Sequence, residues 1–112
     1  MVSVNEQTFS IDVLDASQPV LVHFWAPWCG LCRMINPLLV DFQTGWHGQL
    51  QLVNVNADDN FKLATAYRLR SLPTLILFDR GTVIYRVEGF QGRDDLHRAL
   101  NVVMGSLSAQ SA

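Results

Sequence analysis

The chain has 112 residues, 49% of them apolar and 10% aromatic, with a formal charge of -2. That length makes one domain with one ordinary core, and the charge, with no run of Lys or Arg, leaves no basic field for nucleic acid or an anionic membrane. The N-terminus MVSVNEQTFSIDVLD shows no basic-then-apolar leader and runs such as LPTLILF are too short to span a bilayer, so a soluble, cytoplasmic protein is expected.

A short strand around Val2 to Val4 precedes a helix in which Phe9, Val13 and Leu14 recur at helical spacing. Pro19 to Trp25, PVLVHFW, is rich in valine and aromatics and suits a strand buried on both faces. Met34, Ile35, Leu38, Leu39 and Phe42 then form the core face of a helix. Pro37 lies inside it, removes one ladder bond and is expected to kink the axis. QLQLVNVN reads as a strand and DNFKLATAYRL as a short helix, with Asp58, Asp59 and Asn60 as cap candidates. LPTLILF and TVIYRVEGF flank DRG and make an antiparallel hairpin at Gly81.

The last helix, GRDDLHRALNVVMG, carries Asp94 and Asp95 in its first turn and Gly105 just past its end. The domain is therefore expected over residues 1–104, with 105–112 a disordered tail. The order β-α-β-α-β-α-β-β-α predicts an α/β fold: a mixed central sheet of three parallel strands plus a C-terminal antiparallel hairpin, between helices on both faces.

The only two cysteines stand in FWAPWCGLCR, Phe24 to Arg33. Three positions apart on a helix, they share a face with Cα atoms about 5 Å apart, within the range of a disulfide. Cys29 follows a strand and loop and so sits at the helix N-terminus, where unpaired N–H groups and the helix dipole favour a thiolate; it is the expected nucleophile. Cys32, one turn in, faces packed apolar residues that keep its thiol protonated, and is the expected resolving thiol. The rivals are a zinc half-site, a structural disulfide and inert core thiols. Zinc needs more ligands, and His23, His47 and His97 lack the paired spacing of a zinc site. No metal and no bound cofactor is expected.

FWAPWCGLC with a Pro-containing helix after it, Leu72-Pro73-Thr74, and Gly81 and Gly89 of the terminal hairpin together resemble the thioredoxin family, from about residue 3 to residue 104. The resemblance implies a thioredoxin fold and a protein-disulfide reductase, probing targets with Cys29, resolving with Cys32, and recycled by a separate NADPH- and flavin-dependent or ferredoxin-linked reductase. Pro73 would carry a cis peptide bond after Leu72, whose backbone would receive an extended target segment. Pro27, Trp28, Leu31, Leu72, Pro73, Gly89 and Phe90 would form the apolar rim, and the protein would act as a monomer. Trp25 is expected in the core, and Trp46 in packing at a helix end. His47 and His97 are expected to be solvated.

The chain departs from the family at several positions. His23 and Asn54 stand where a buried aspartate and a lysine are common. The histidine is either a hydrogen-bonded core residue or the acceptor of the Cys32 proton. Leu31 replaces the proline between Gly30 and Cys32, a position that tunes the potential. Arg68 and Ser71 occupy positions where many relatives have glycine, which alters the target surface. Two alternatives remain: an oxidase or isomerase of the same fold, separable by redox potential, and a redox-independent binding subunit, separable by a double Cys-to-Ser variant.

Overall fold

The structure, a computed structural model, describes residues 1–46 and 48–111. His47 lies outside the described residues. Five strands form one sheet in the order β1-β3-β2-β4-β5. They are β1 Val2–Ser3, β2 Val20–Trp25, β3 Gln51–Asn56, β4 Thr74–Asp79 and β5 Thr82–Val87. β1 and β2 run parallel to β3, while β4 is antiparallel to β2 and β5 to β4. The expected mixed sheet is therefore present, with the apolar PVLVHFW segment as its central strand.

Side chains alternate between the two faces, as strand geometry requires. Leu21, Leu52, Leu75 and Leu77 pack with Ile35 and Leu39 of α1 (Gly30–Thr44) and with Leu96, Leu100 and Val103 of α3 (Arg93–Ser111). Val20, Val22, Phe24, Val53, Val55, Ile76 and Phe78 pack instead with Val4, Phe9 and Val13, under a π-helical turn at Ser10–Leu14. Leu63 of α2 (Phe61–Ala66) and Tyr67 close the same face.

Several local expectations change. The first helix is a π turn closed by the Asp15 N–H on the Ser10 carbonyl at 2.9 Å. Met34 falls on the outer side of α1 and is 42% exposed, so the core face there is carried by Ile35 and Leu39, with Leu38 and Phe42 half-buried. Pro37 sits inside α1 and has no N–H to give the Arg33 carbonyl. α3 does not end at Gly105: it continues to Ser111, and buried Leu107 anchors the extra turn against a glycine cost of about 1 kcal/mol.

α2 is shorter than its sequence pattern suggests. Asn60 takes the cap position, but its amide accepts from the Glu6 N–H at 3.0 Å and donates to the Asn56 carbonyl at 2.9 Å. The helix start is satisfied from afar, by Glu6 Oε1 accepting from the Lys62 N–H at 3.0 Å. In the hairpin, Arg80 and Gly81 have φ of 51° and 82°, the signs a type I′ turn demands. A Cβ at Gly81 would stand 2.9 Å from the Leu14 carbonyl oxygen, so close approach requires glycine there as well.

Candidate functional site

The cysteines sit at the C-terminal end of β2, where the chain turns from sheet to α1. The Cys29 N–H closes a tight turn on the Ala26 carbonyl at 3.0 Å. Cys29 is the N-cap of α1 in extended conformation, and its sulfur accepts from the Cys32 N–H at 3.2 Å. Cys29 and Cys32 are joined as a disulfide with Cα atoms 5.3 Å apart, close to the distance expected from helix geometry. Cys29 is 6% exposed and Cys32 is 1% exposed.

Ala26 and the two cysteines form a small cluster of their own, packed by Trp25, Leu31 and Leu72. Trp25 is half-buried there, and the Leu72–Pro73 peptide bond is cis. Pro27 and Trp28 are exposed, Trp28 to 67%. Leu72 is half-buried and Pro73 buried, and Gly89 is exposed at a φ of 74°. Phe90 is turned inward at 8% exposure, packed into the cluster beneath α1 and α3. Trp46 packs on Phe42 at the end of α1, with ring centroids 6.3 Å apart, and His97 is exposed.

One participant was not singled out from sequence beyond being a cap candidate. Asp58 Oδ2 accepts from Trp28 Nε1 at 3.0 Å, and the Asp58 N–H is held by Asn56 Oδ1 at 3.0 Å. An exposed indole kept in one orientation needs a partner for its N–H. The partner is 30 residues away in the chain, so local pattern carries no sign of it.

Behind Cys32 lies a cavity of about 280 Å³ lined by His23, Trp25, Cys32, Arg33, Asn36, Pro37 and Asn54. His23 is 1% exposed, and neither ring nitrogen has a hydrogen-bond partner; Asn54 Oδ1 has none either. Burial pushes the imidazole down from 6.5 to about 4. The Asn54 and Asn36 amides beside it favour the protonated form only weakly, standing near without closing a hydrogen bond. His23 is therefore a neutral imidazole at physiological pH.

Among the described residues no three His, Cys, Asp or Glu side chains come together as a metal site needs, and no helix is long and apolar enough to cross a membrane. The family model described as Thioredoxin matches residues 1–102. Thioredoxin 1 of Nostoc sp. is 41% identical over 97 residues, covering 87% of this chain and 91% of the relative. Thioredoxin of Synechocystis sp. is 43% identical over 86 residues, 77% of this chain and 80% of the relative. A bifunctional thioredoxin reductase/thioredoxin of Mycobacterium leprae is 36% identical over 107 residues, 96% of this chain and 23% of that protein.

Proposed function

Because the chain belongs to the thioredoxin family, a thiol–disulfide oxidoreductase that reduces protein disulfides and is itself recycled by a thioredoxin reductase, we propose a division of labour between its two sulfurs. Cys29 thiolate attacks one sulfur of a target disulfide, forming a mixed disulfide and releasing the other target sulfur as a thiolate. Cys32 then loses its proton and attacks the Cys29 sulfur. The Cys29–Cys32 bond forms as the bond to the target breaks, and two electrons have passed to the target. The observation that carries this assignment is Cys29 at the cap of α1, its sulfur facing an N–H of the first turn, beside an exposed rim.

Pro27, Trp28, Leu72, Pro73 and Gly89 hold the target segment. The test is to trap mixed disulfides with Cys32→Ser and with Cys29→Ser. The first variant is expected to retain targets on Cys29, and the second to retain none. Targets accumulating on Cys32 instead would reverse the roles.

His23 takes the Cys32 proton in the resolving step. His23 and Cys32 line one cavity, and the transfer is uphill, from an ordinary thiol near pH 8.5 to an imidazole at about 4. With a preformed mixed disulfide, His23→Leu is expected to slow resolution about tenfold or more while sparing the first attack. The wild-type step should show no titration of His23 between about pH 5 and 8 and should slow toward pH 4. Resolution by His23→Leu at the wild-type rate would leave His23 as a core residue only.

Gly30 and Leu31 tune the potential. Leu31→Pro removes an N–H from the first turn, next to the sulfur that a reduced protein carries as thiolate, and is expected to lower the potential. An unchanged potential would restrict that tuning to the Cys32 N–H. The protein works in a reducing compartment, the cytoplasm. Reduction by an NADPH-dependent flavoprotein or by a ferredoxin-linked reductase, compared at equal concentration, identifies the class of donor.

A further inference from the structure

The end of α2 is built in an unusual way. The Arg68 N–H bonds the Thr65 carbonyl at 3.1 Å and the Leu69 N–H bonds the Ala64 carbonyl at 3.0 Å. This pair of bonds is a Schellman closure, which places a left-handed residue just past the helix, most often glycine. Here that residue is an arginine, with φ of 52°. A non-glycine side chain in this conformation is strained, and persists only where surrounding contacts hold it.

Arg86 of β5 supplies those contacts. Its guanidinium donates through Nη1 to the Tyr67 carbonyl and through Nη2 to the Arg68 carbonyl at 2.9 Å. Two carbonyls left over by the helix end are thus satisfied by one planar fork that a lysine cannot reproduce. The same Nη2 lies 3.2 Å from Glu88 Oε2, and Glu88 Oε1 is 4.0 Å from Nε of exposed Arg70. Arg70 is two residues before Leu72, and Glu88 is the residue before Gly89. The network therefore touches the chain just before Leu72, which packs on the cysteine cluster, and just before Gly89.

We infer that Arg86, braced by Glu88, is a positioning residue that seats the Leu72–Pro73 segment against Gly89 and so sets affinity for protein targets without taking part in sulfur chemistry. This rests on the reading of the rim as the target-docking surface. The fork holds the strained Arg68 corner, the corner sets the start of the segment, and the segment ends at the disulfide. Glu88 keeps the guanidinium from swinging out to solvent.

The test compares insulin, a bulky protein disulfide, with hydroxyethyl disulfide, which is too small to need the rim. Arg86→Lys and Arg86→Gln are expected to raise KM for insulin about tenfold, the scale of one or two lost charge-assisted bonds, with kcat within about twofold. Turnover of hydroxyethyl disulfide and the redox potential should stay at the wild-type values. Glu88→Gln is expected to act in the same direction, about threefold, and keeps the test open should an Arg86 variant fail to fold. Arg68→Gly relieves the corner and is expected to recover most of the insulin KM in the Arg86→Gln background, whereas an unrelated stabilising change that restores the melting temperature equally should not recover it.

Equal losses on both disulfides, or an unchanged insulin KM in Arg86→Lys and Glu88→Gln, would overturn the proposal. Leu72→Glu places a charge on the rim itself. If it raises the insulin KM while Arg86→Lys does not, the rim stands and the positioning role falls; if neither does, the rim reading falls and the proposal with it.

Discussion

The two faces of the sheet are closed in different ways. One is covered by α1 and α3, helices of 15 and 19 residues that lay Ile35, Leu39, Leu96, Leu100 and Val103 onto a floor of leucines. The other is covered by a five-residue π turn and the six-residue α2, too short to bury a long apolar stripe. That face holds its cover with directed polar bonds: Asn60 to Glu6 and Asn56, Glu6 to Lys62, and Arg86 to Tyr67 and Arg68. Area alone secures the long helices of the first face, whereas on the second the cluster of buried Phe9, Phe24 and Phe78 with half-buried Tyr67 is supplemented by these directed bonds, which hold α2. The catalytic helix springs from the area-held side, while the segment carrying Leu72 and Pro73 hangs from the bond-held side.

This contrast fixes where stability should be lost. Leu39→Ala, fully buried under α1, is expected to cost about 3 kcal/mol in denaturant unfolding, from lost transfer energy plus a cavity that the long helices cannot collapse. A cost under about 1 kcal/mol would mean that the helical side repacks freely and the contrast fails.

The leucine floor is interrupted by a polar island of His23 and Asn54, and His23 supplies the next effect. Its folded pKa, about 4, lies below the unfolded value of 6.5, so between those pH values the unfolded chain binds more protons than the folded one. The stability tied to the neutral imidazole is full above about pH 6.5 and is lost as pH falls toward 4. By linkage the loss reaches roughly 3 kcal/mol at the acid end. His23→Leu should leave stability near pH 7 little changed and flatten this acid limb. An acid limb of unchanged slope in the variant would show that carboxylates elsewhere, and not His23, govern it.

The sequence made the two faces legible to different degrees, for the same reason that they are built differently. The nearly unbroken apolar run of PVLVHFW and the three-and-four spacing after the cysteines report burial of area, and they located β2, α1 and the sulfur pair at its start. Burial of area is a local pattern, readable within a dozen residues. Met34 departs from it because the apolar stripe is wider than the face that α1 buries, and α3 outruns Gly105 because Leu107 finds the core. Directed bonds leave no such pattern. Glu6 reaches Lys62 across 56 residues, Trp28 reaches Asp58 across 30, and Arg86 reaches Tyr67 across 19. Each partner is an ordinary polar residue in the sequence, so Asn60 reads as a helix cap when its amide in fact ties the N-terminal segment to the end of β3. The redox pair was legible because helix geometry alone brings its members together; the polar ties beneath the rim were not.

The smallest effect tests the bond-held face directly. Asn60 is 5% exposed, and Asn60→Ala removes two hydrogen bonds at once, leaving the Glu6 N–H without its partner and the Asn56 carbonyl with the Asp59 N–H alone. Both lie near the surface at the start of α2, so water can reach part of what is lost, and the expected cost is about 1–2 kcal/mol. Asn60→Asp is the sharper variant. It keeps the oxygen that accepts from Glu6 but turns a carboxylate oxygen toward the Asn56 carbonyl, so at neutral pH it should cost more than Asn60→Ala, and the excess should shrink as the carboxylate is protonated. Hydrogen exchange at the Lys62 and Ala64 amides should quicken more than at α1 amides, because opening of α2 then no longer requires global unfolding. If exchange instead rises equally in α1 and α2, the two faces unfold as one unit, and the polar ties are no more local in their effect than the leucine core.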